Sequence, residues 1–187
     1  MSALRLDPRQ SVIIVVDVQE RLFSAMPELA ANDLVRSATV LLETAKLLGV
    51  EVLATEQYPE KLGPTLAPLA EKLTEISAPR IPKLDFSACR EGAFVAALAK
   101  LERRTAIVIG METHICVFQT ARDLAIRGLN VHVPMNGVAS RRDDHRVTGL
   151  DLCRAAGATV TTTETIVFDW LGRAGSDTFK QVSKLIK

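Results

Sequence analysis

Residues 105–127 read TAIVIGMETHICVFQTARDLAIR, and a change of period within them sets the fold class. Residues 106–109 are an apolar, mostly β-branched run of the kind that forms a strand buried on both faces. After a turn at Gly110 the period becomes helical, with Val117, Ala121, Leu124 and Ala125 sharing one face. Thr113 is the expected N-cap and His114 the expected first helical residue. Cys116 then falls in the first turn, where backbone N–H groups lack partners inside the helix. The positive end of the helix dipole would favour its thiolate there, and the same N–H groups could receive an oxyanion. The mechanics resemble the strand–turn–helix elbow of serine hydrolases, although the G-x-S-x-G pattern is absent. A free cysteine is also a common small hydrophobe of protein cores, so other residues must decide between the two roles.

Working outward, residues 11–18 (SVIIVVDV) form another run fit for a central parallel strand, and it ends in Asp17. A carboxylate there is costly unless paired or functional, and open α/β sheets bind ligands at that edge. Residues 33–48 have helical spacing (Leu34, Ala38, Leu41, Leu42, Ala45, Leu48) and stop at Gly49. A strand over 51–55 is followed by the Pro- and Gly-rich loop EQYPEKLGPT, a helix over 66–73 and a short strand near Ile76. Pro79 and Pro82 mark the next segment, PRIPKLDFSAC, as extended or irregular, and it carries Lys83. Further elements are a helix over 92–101, a strand over 130–134, a helix over 143–156 ended by Gly157, and a β-branched strand over 158–163. An amphipathic helix over 176–186 closes the chain, with Phe179, Val182 and Ile186 on its docking face. Strands and helices alternate about six times, which predicts a single α/β domain over 1–187: a three-layer, Rossmann-like fold with a doubly wound, mainly parallel six-stranded sheet.

Composition narrows the function classes. The chain has 187 residues, 48% hydrophobic and 24% charged, enough for one sizeable core but not for two full domains. A net charge of +1, with one tryptophan and one tyrosine, disfavours nucleic acid as a partner and gives no field toward anionic lipid. No segment has the length and apolarity of a membrane span, and MSALRLDPRQ has no apolar signal core, so a cytoplasmic protein is expected. Cys89, Cys116 and Cys153 are odd in number and widely spaced, without a C-x-x-C motif or a zinc-ligand set. No G-x-G-x-x-G follows a strand, which sets a dinucleotide-dependent oxidoreductase low.

If the first and fourth strands are central neighbours, Asp17, Lys83 and Cys116 meet at their carboxyl ends. A carboxylate base, an ammonium and a thiol nucleophile form a coherent set for opening an amide-like bond through a thioester. Around them, Gln19 could orient a substrate or satisfy backbone groups, and Phe23 could stack on a planar substrate or simply pack. Glu56, Gln57 and Tyr58 stand where a pocket wall is expected, though loop solvation explains them as well, and Phe86 suits core and pocket equally. His114 lies two residues before Cys116, a poor spacing for a dyad on one helix. Cys89 and Cys153 lie along apolar helical stretches and suit structural roles, and Ser140-Arg141-Arg142 reads as a solvated helix lead-in or an anion contact.

With those motifs in place, the chain resembles the isochorismatase-like cysteine hydrolase superfamily, which includes nicotinamidases and N-carbamoylsarcosine amidases. VVDVQE (15–20), IPKLDFSAC (81–89) and GMETHICV (110–117) carry the resemblance. TEQYPEKLGPT (55–65), KLDFSAC and FKQVSKLIK (179–187) are similar to the isochorismatase-domain-containing subgroup. The resemblance implies a triad of Asp17, Lys83 and Cys116, oxyanion donors at the backbone N–H groups of Ile115 and Cys116, and a cis peptide at Met111–Glu112. It also implies a cofactor-free hydrolase of a small amide, imide or related carbonyl compound, self-associating as members of the superfamily do. Nicotinamidases carry metal-binding histidines after the second strand, but this chain reads TEQYPEK there, with His114, His132 and His145 far away, so no metal is expected. Isochorismatases proper act on a vinyl ether and can lack the nucleophilic cysteine, so Cys116 points away from that reaction. The alternative is an oligomeric interaction module with a vestigial pocket.

Overall fold

Alternation along β1 (Ser11–Val16) organises two cores, because all six of its residues are buried. Ile13 and Val15 point into one apolar cluster, and Val12, Ile14 and Val16 into the other. That is the demand placed on a strand covered on both faces, and each fully buried Val or Ile contributes about 1.5–3 kcal/mol. The computed structural model describes residues 4–186. Residues 1–3 and Lys187, at the ends of the expected domain and of the FKQVSKLIK motif, lie outside the described residues.

The remaining strands are β2 (Glu51–Gln57), β3 (Arg80–Lys83), β4 (Thr105–Met111), β5 (Asn130–Pro134), β6 (Val138–Ala139) and β7 (Thr159–Thr161). They form one parallel sheet in the order β3-β2-β1-β4-β5-β7, with β6 pairing β4 beyond the end of β5. The helices are α1 (Glu20–Phe23), α2 (Glu28–Leu48), α3 (Pro59–Leu62), α4 (Ala67–Glu75), α5 (Gly92–Leu101), α6 (Phe118–Ile126), α7 (Asp143–Ala155), α8 (Thr163–Leu171) and α9 (Asp177–Ile186). Buried residues of α2, α4, α8 and α9 share one cluster with the sheet, and those of α5, α6 and α7 the other. The architecture is therefore the expected three-layer, doubly wound sandwich, with β1 and β4 adjacent at its centre.

Four local expectations change. Among the described residues the sheet has seven strands, one more than expected, since the two-residue β6 is too short to carry a periodic signal. No strand forms near Ile76, which instead caps α4; the strand is β3, within the segment expected to be extended or irregular. Pro82 is tolerated because β3 lies at the sheet edge and pairs only with β2, so the missing N–H costs no ladder bond. The last strand stops at Thr161, where Thr162 caps the unanticipated helix α8 by accepting the Thr165 N–H at 3.2 Å. Finally, β4 runs through Gly110 to Met111 instead of turning at the glycine.

Gly110 is needed for a different reason. Its φ is +129°, and a Cβ built there would lie 2.0 Å from the carbonyl oxygen of Val16. Only a residue without a side chain lets β4 approach the end of β1 so closely, and that approach sets the floor of the site. Gly49 also has positive φ (+68°), but a Cβ there meets nothing within 4 Å. Gly110→Ala should lower stability by about 2 kcal/mol or more through overpacking, whereas Gly49→Ala should cost about 1 kcal/mol. Urea unfolding midpoints at unchanged slope check the contrast, and equal losses would contradict it.

Candidate active site

Three neighbouring strands deliver the charged groups. Asp17 follows β1 directly, and its left-handed backbone (φ 52°) swings the carboxylate out of the strand's alternation. Its N–H donates to the Thr55 carbonyl at 3.1 Å, and the Thr55 hydroxyl donates to Oδ1 at 2.7 Å. Lys83 ends the edge strand β3, where alternation with Ile81 sends its side chain inward. Its Nζ donates to Asp17 Oδ2 at 2.7 Å, to Gln57 Oε1 at 2.6 Å, and to the carbonyls of Asp85 and Phe86 at 3.1 Å each. Neither charged side chain has any solvent exposure. Removing two charges from water is costly unless every remaining lone pair and proton is used, and here the surrounding groups use them.

Cys116 is presented differently from the expectation. Thr113–Val117 form a single π-helical turn before α6 begins at Phe118. Thr113 is not a side-chain cap; its hydroxyl is buried with no hydrogen-bond partner, and the residue preceding the turn is Glu112. The Met111–Glu112 peptide is cis. Cys116 is 6% exposed and packs into the α5–α7 core, yet its thiol lies near enough to Asp17 and Lys83 for both to act on its ionisation. Asp17, Lys83 and Cys116, a hundred residues apart in the chain at their extremes, share one small enclosure.

The electrostatics also correct the expected resting thiolate. Burial pushes the Cys116 thiol up to about 12, the Asp17 charge adds to the rise, and Lys83 opposes it. Burial likewise raises Asp17, against the Lys83 charge and the hydrogen bonds from Lys83 and Thr55. A protonated thiol therefore rests beside a carboxylate with increased appetite for a proton. Burial raises Cys89 to about 11 and Cys153 to about 12 as well, so contacts rather than acidity distinguish Cys116.

The other anticipated residues divide. Gln19 is fully buried, and its amide is consumed by backbone: Nε2 donates to the carbonyls of Gln57 (3.0 Å) and Gly63 (2.6 Å), and Oε1 accepts the Gln57 N–H (2.7 Å). It is a strut between loops and does not offer itself to a substrate. Phe23 packs against the α2 core. Tyr58 (40% exposed) lines a cavity of about 490 Å³ with Pro59, Pro82 and Leu84, which Asp17 and Cys116 do not line and from which the buried Lys83 side chain is withdrawn. Phe86 is 53% exposed and contributes its carbonyl, not its ring, to Lys83. The Ile115 N–H already donates to the Glu112 carbonyl at 3.0 Å, so it can receive an oxyanion only by sharing that bond. His114 turns away from Cys116 toward Ser140, with Nδ1 at 3.1 Å from Oγ, which rules it out as the thiol's base. Its ring lies 4.6 Å from that of His145, and burial lowers its pKa. Among the described residues, no group of three or more His, Cys, Asp or Glu is placed to hold a metal ion.

Thr55 was missed as a site residue, and Gln57 was anticipated as pocket wall but not as a partner of Lys83. Their signal was present: extending the strand two residues beyond Thr55 puts both on one side of β2, flanking the end of β1. Glu112 and Ser140 gave no comparable signal, because a cis turn and a two-residue strand bring them together.

Comparison with known proteins bears on the family and the fold. Residues 11–165 match the model of the isochorismatase domain. The chain is 33% identical over 185 residues to the secreted isochorismatase effector Isc1 of Phytophthora sojae, covering 98% of this chain and 87% of that protein. It is 34% identical over 189 residues to isochorismatase domain-containing protein 2 of Bos taurus, covering 98% and 86%. The solved structure of the MAR1 ribonuclease of Caenorhabditis elegans superposes with a TM-score of 0.89 at 35% identity, over 97% of this chain and 92% of that one.

The Asp17–Lys83 pair makes a stability prediction. Lys83→Met leaves a buried, unpaired carboxylate and should cost about 3 kcal/mol or more at neutral pH. Without the ammonium, the folded-state pKa of Asp17 rises further above its unfolded value near 4. Folding then takes up a proton in that interval, so the variant gains stability on acidification and loses it as pH rises through the folded pKa. Unfolding measured between about pH 4 and pH 7 should show the penalty shrinking toward acid; a pH-independent penalty would contradict the pairing.

Proposed function

This chain belongs to the isochorismatase family of hydrolases, and from that premise we propose that it hydrolyses a small amide, imide or related carbonyl substrate with Cys116 as nucleophile, Asp17 as base and Lys83 as the fixed cation. The observation that carries the proposal is the Cys116 thiol within electrostatic reach of an Asp17 carboxylate that Lys83 holds at 2.7 Å.

In the first half-reaction the Cys116 sulfur bonds to the carbonyl carbon while its proton passes to Asp17. The carbon–nitrogen bond then breaks, and the leaving nitrogen takes that proton from Asp17 as the amine departs. A thioester remains. Water attacks it, giving a proton to Asp17, and the carbon–sulfur bond breaks to release the acid. Asp17 returns the proton to the sulfur, so the sum is amide plus water giving acid plus amine. Because the resting thiol is protonated, deprotonation accompanies attack and does not precede it. Lys83 supports the ionised form of either partner in turn. Backbone N–H groups of the 113–117 turn, those of Ile115 and Cys116 first among them, serve the oxyanion, and a lost donor in such sites costs about 3 kcal/mol.

The small-molecule reading is supported by a net charge of +1, which supplies no basic field for RNA. The relative named as a ribonuclease makes RNA cleavage a direct comparison to run. The cavity by Tyr58, about 490 Å³, has the size of a small-molecule site but is lined by neither Asp17 nor Cys116. Exposed Leu84, Phe86 and Tyr58 around it favour self-association of the chain. Cys89, Cys116 and Cys153 are all free, which favours a reducing, cytoplasmic setting, and no helix among the described residues is long and apolar enough to cross a membrane.

An activity screen of small amides against wild type and Cys116→Ala, with an activated acyl compound followed by peptide mass spectrometry, tests the proposal. The acyl group should reside on Cys116 and be absent from Cys116→Ala, and Asp17→Asn should lower turnover by about 10²–10⁴-fold. Acylation confined to Cys89 or Cys153, or RNA cleavage that survives Cys116→Ala, would overturn it. Absence of any adduct would favour the interaction module.

A further inference from the structure

β6 is only two residues long, but its pairing continues beyond the sheet. Val138 pairs with Gly110 and Ala139 with Met111, after the Gly137 carbonyl has accepted the Gly110 N–H at 3.0 Å. Side chains then carry the contact onward. Ser140 Oγ accepts the Thr113 N–H at 3.1 Å, and the Arg141 N–H donates to Glu112 Oε2 at 3.0 Å. Arg141 Nε lies 3.1 Å from both carboxylate oxygens. Ser140 and Glu112 are buried, at 1% and 4% exposure. The turn is gripped from the other side by α7, where a Cβ on Gly149 would fall 2.7 Å from the His114 nitrogen and the Thr113 carbonyl carbon.

We infer that Ser140, Glu112 and Arg141 are positioning residues that hold the turn bearing Cys116 in contact with Asp17 and Lys83. The inference rests on Cys116 being the nucleophile. Glu112 is suited to the task because its carbonyl accepts the N–H groups of Ile115 (3.0 Å) and Val117 (3.2 Å), on either side of Cys116. Anchoring its side chain to Arg141 therefore fixes the oxygen around which the turn is wound. Ser140 is used from both ends: it accepts from Thr113 and can donate its one proton to Nδ1 of a neutral His114. Small displacements of a reacting group cost rate steeply, so a site made by contact instead of by a resting thiolate depends on such anchoring.

The test follows the rate of Cys116 modification by iodoacetamide across pH, read by peptide mass spectrometry, with Cys89 and Cys153 as internal controls. In wild type, Asp17→Asn should lower the midpoint of the Cys116 profile, since the Asp17 charge raises the thiol. In Ser140→Ala and in Glu112→Gln the midpoint should already lie nearer that of an ordinary thiol, about 8.5. Adding Asp17→Asn should then move it at least tenfold less in proton concentration than in wild type. Ser140→Thr, which keeps the hydroxyl, should restore the wild-type profile. A wild-type midpoint with a full Asp17→Asn response in the folded variants would overturn the inference. Where Cys89 and Cys153 also become reactive, the variant has loosened globally; Arg141→Lys, altered at a half-exposed surface side chain, then decides by the same comparison. Failure of the nucleophile reading is distinct: no acyl-enzyme forms with any substrate, while the brace variants still displace the Cys116 profile.

Discussion

A lysine ammonium and an aspartate carboxylate, both withdrawn from water, sit at the centre of the sheet's carboxyl edge, and much of the surrounding chain is arranged to make that tolerable. Burial alone would penalise each charge by several kcal/mol, which their mutual attraction repays only with good geometry and complete hydrogen bonding. The geometry comes from parallel register, which sets the ends of β1, β2 and β3 side by side. The bonding comes from Thr55, Gln57 and the carbonyls of Asp85 and Phe86. Even Gln19, which touches neither charge in the hydrogen-bond network, pins the Gln57 backbone and so secures the amide that faces Lys83.

Against this background the thiol's chemistry is one of juxtaposition. Three cysteines are buried and all three are held in the protonated form by the same cause. What separates Cys116 is a carboxylate able to receive its proton and a cation that keeps the resulting charge acceptable. A helix-terminus thiolate would react with many electrophiles indiscriminately, whereas under the proposed mechanism a thiol that ionises only on proton transfer to Asp17 would react with a correctly seated carbonyl.

The layered α/β architecture was legible in the sequence because its signals are local: the doubly buried runs at 11–16 and 106–109, and helices with strong periodicity such as α2. The neighbourhood of Asp17, Lys83 and Cys116 could be anticipated once β1 and β4 were taken as central. The conformation that presents Cys116 was not legible. A π turn, a left-handed Asp17 and a two-residue strand are imposed by tertiary packing, and no propensity encodes them. Pro82 shows the same limit, since proline argues against a strand until the strand is known to lie at the edge. The role of Gln19 was open in sequence and was decided by where loop carbonyls fall.

The placement of Lys83 on β3 carries a last consequence. That strand is four residues long, outermost in the sheet, and bonded along one side only. Edge elements of this kind open at a fraction of the free energy needed to melt the central strands. A brief peeling of β3 would carry the cation away and leave a lone acid facing the sulfur, while β1, β4 and both apolar cores stayed intact. The enclosure can thus lose its competence in a subglobal excursion, and anything that clasps the outer margin of the sheet would lengthen the time it spends assembled.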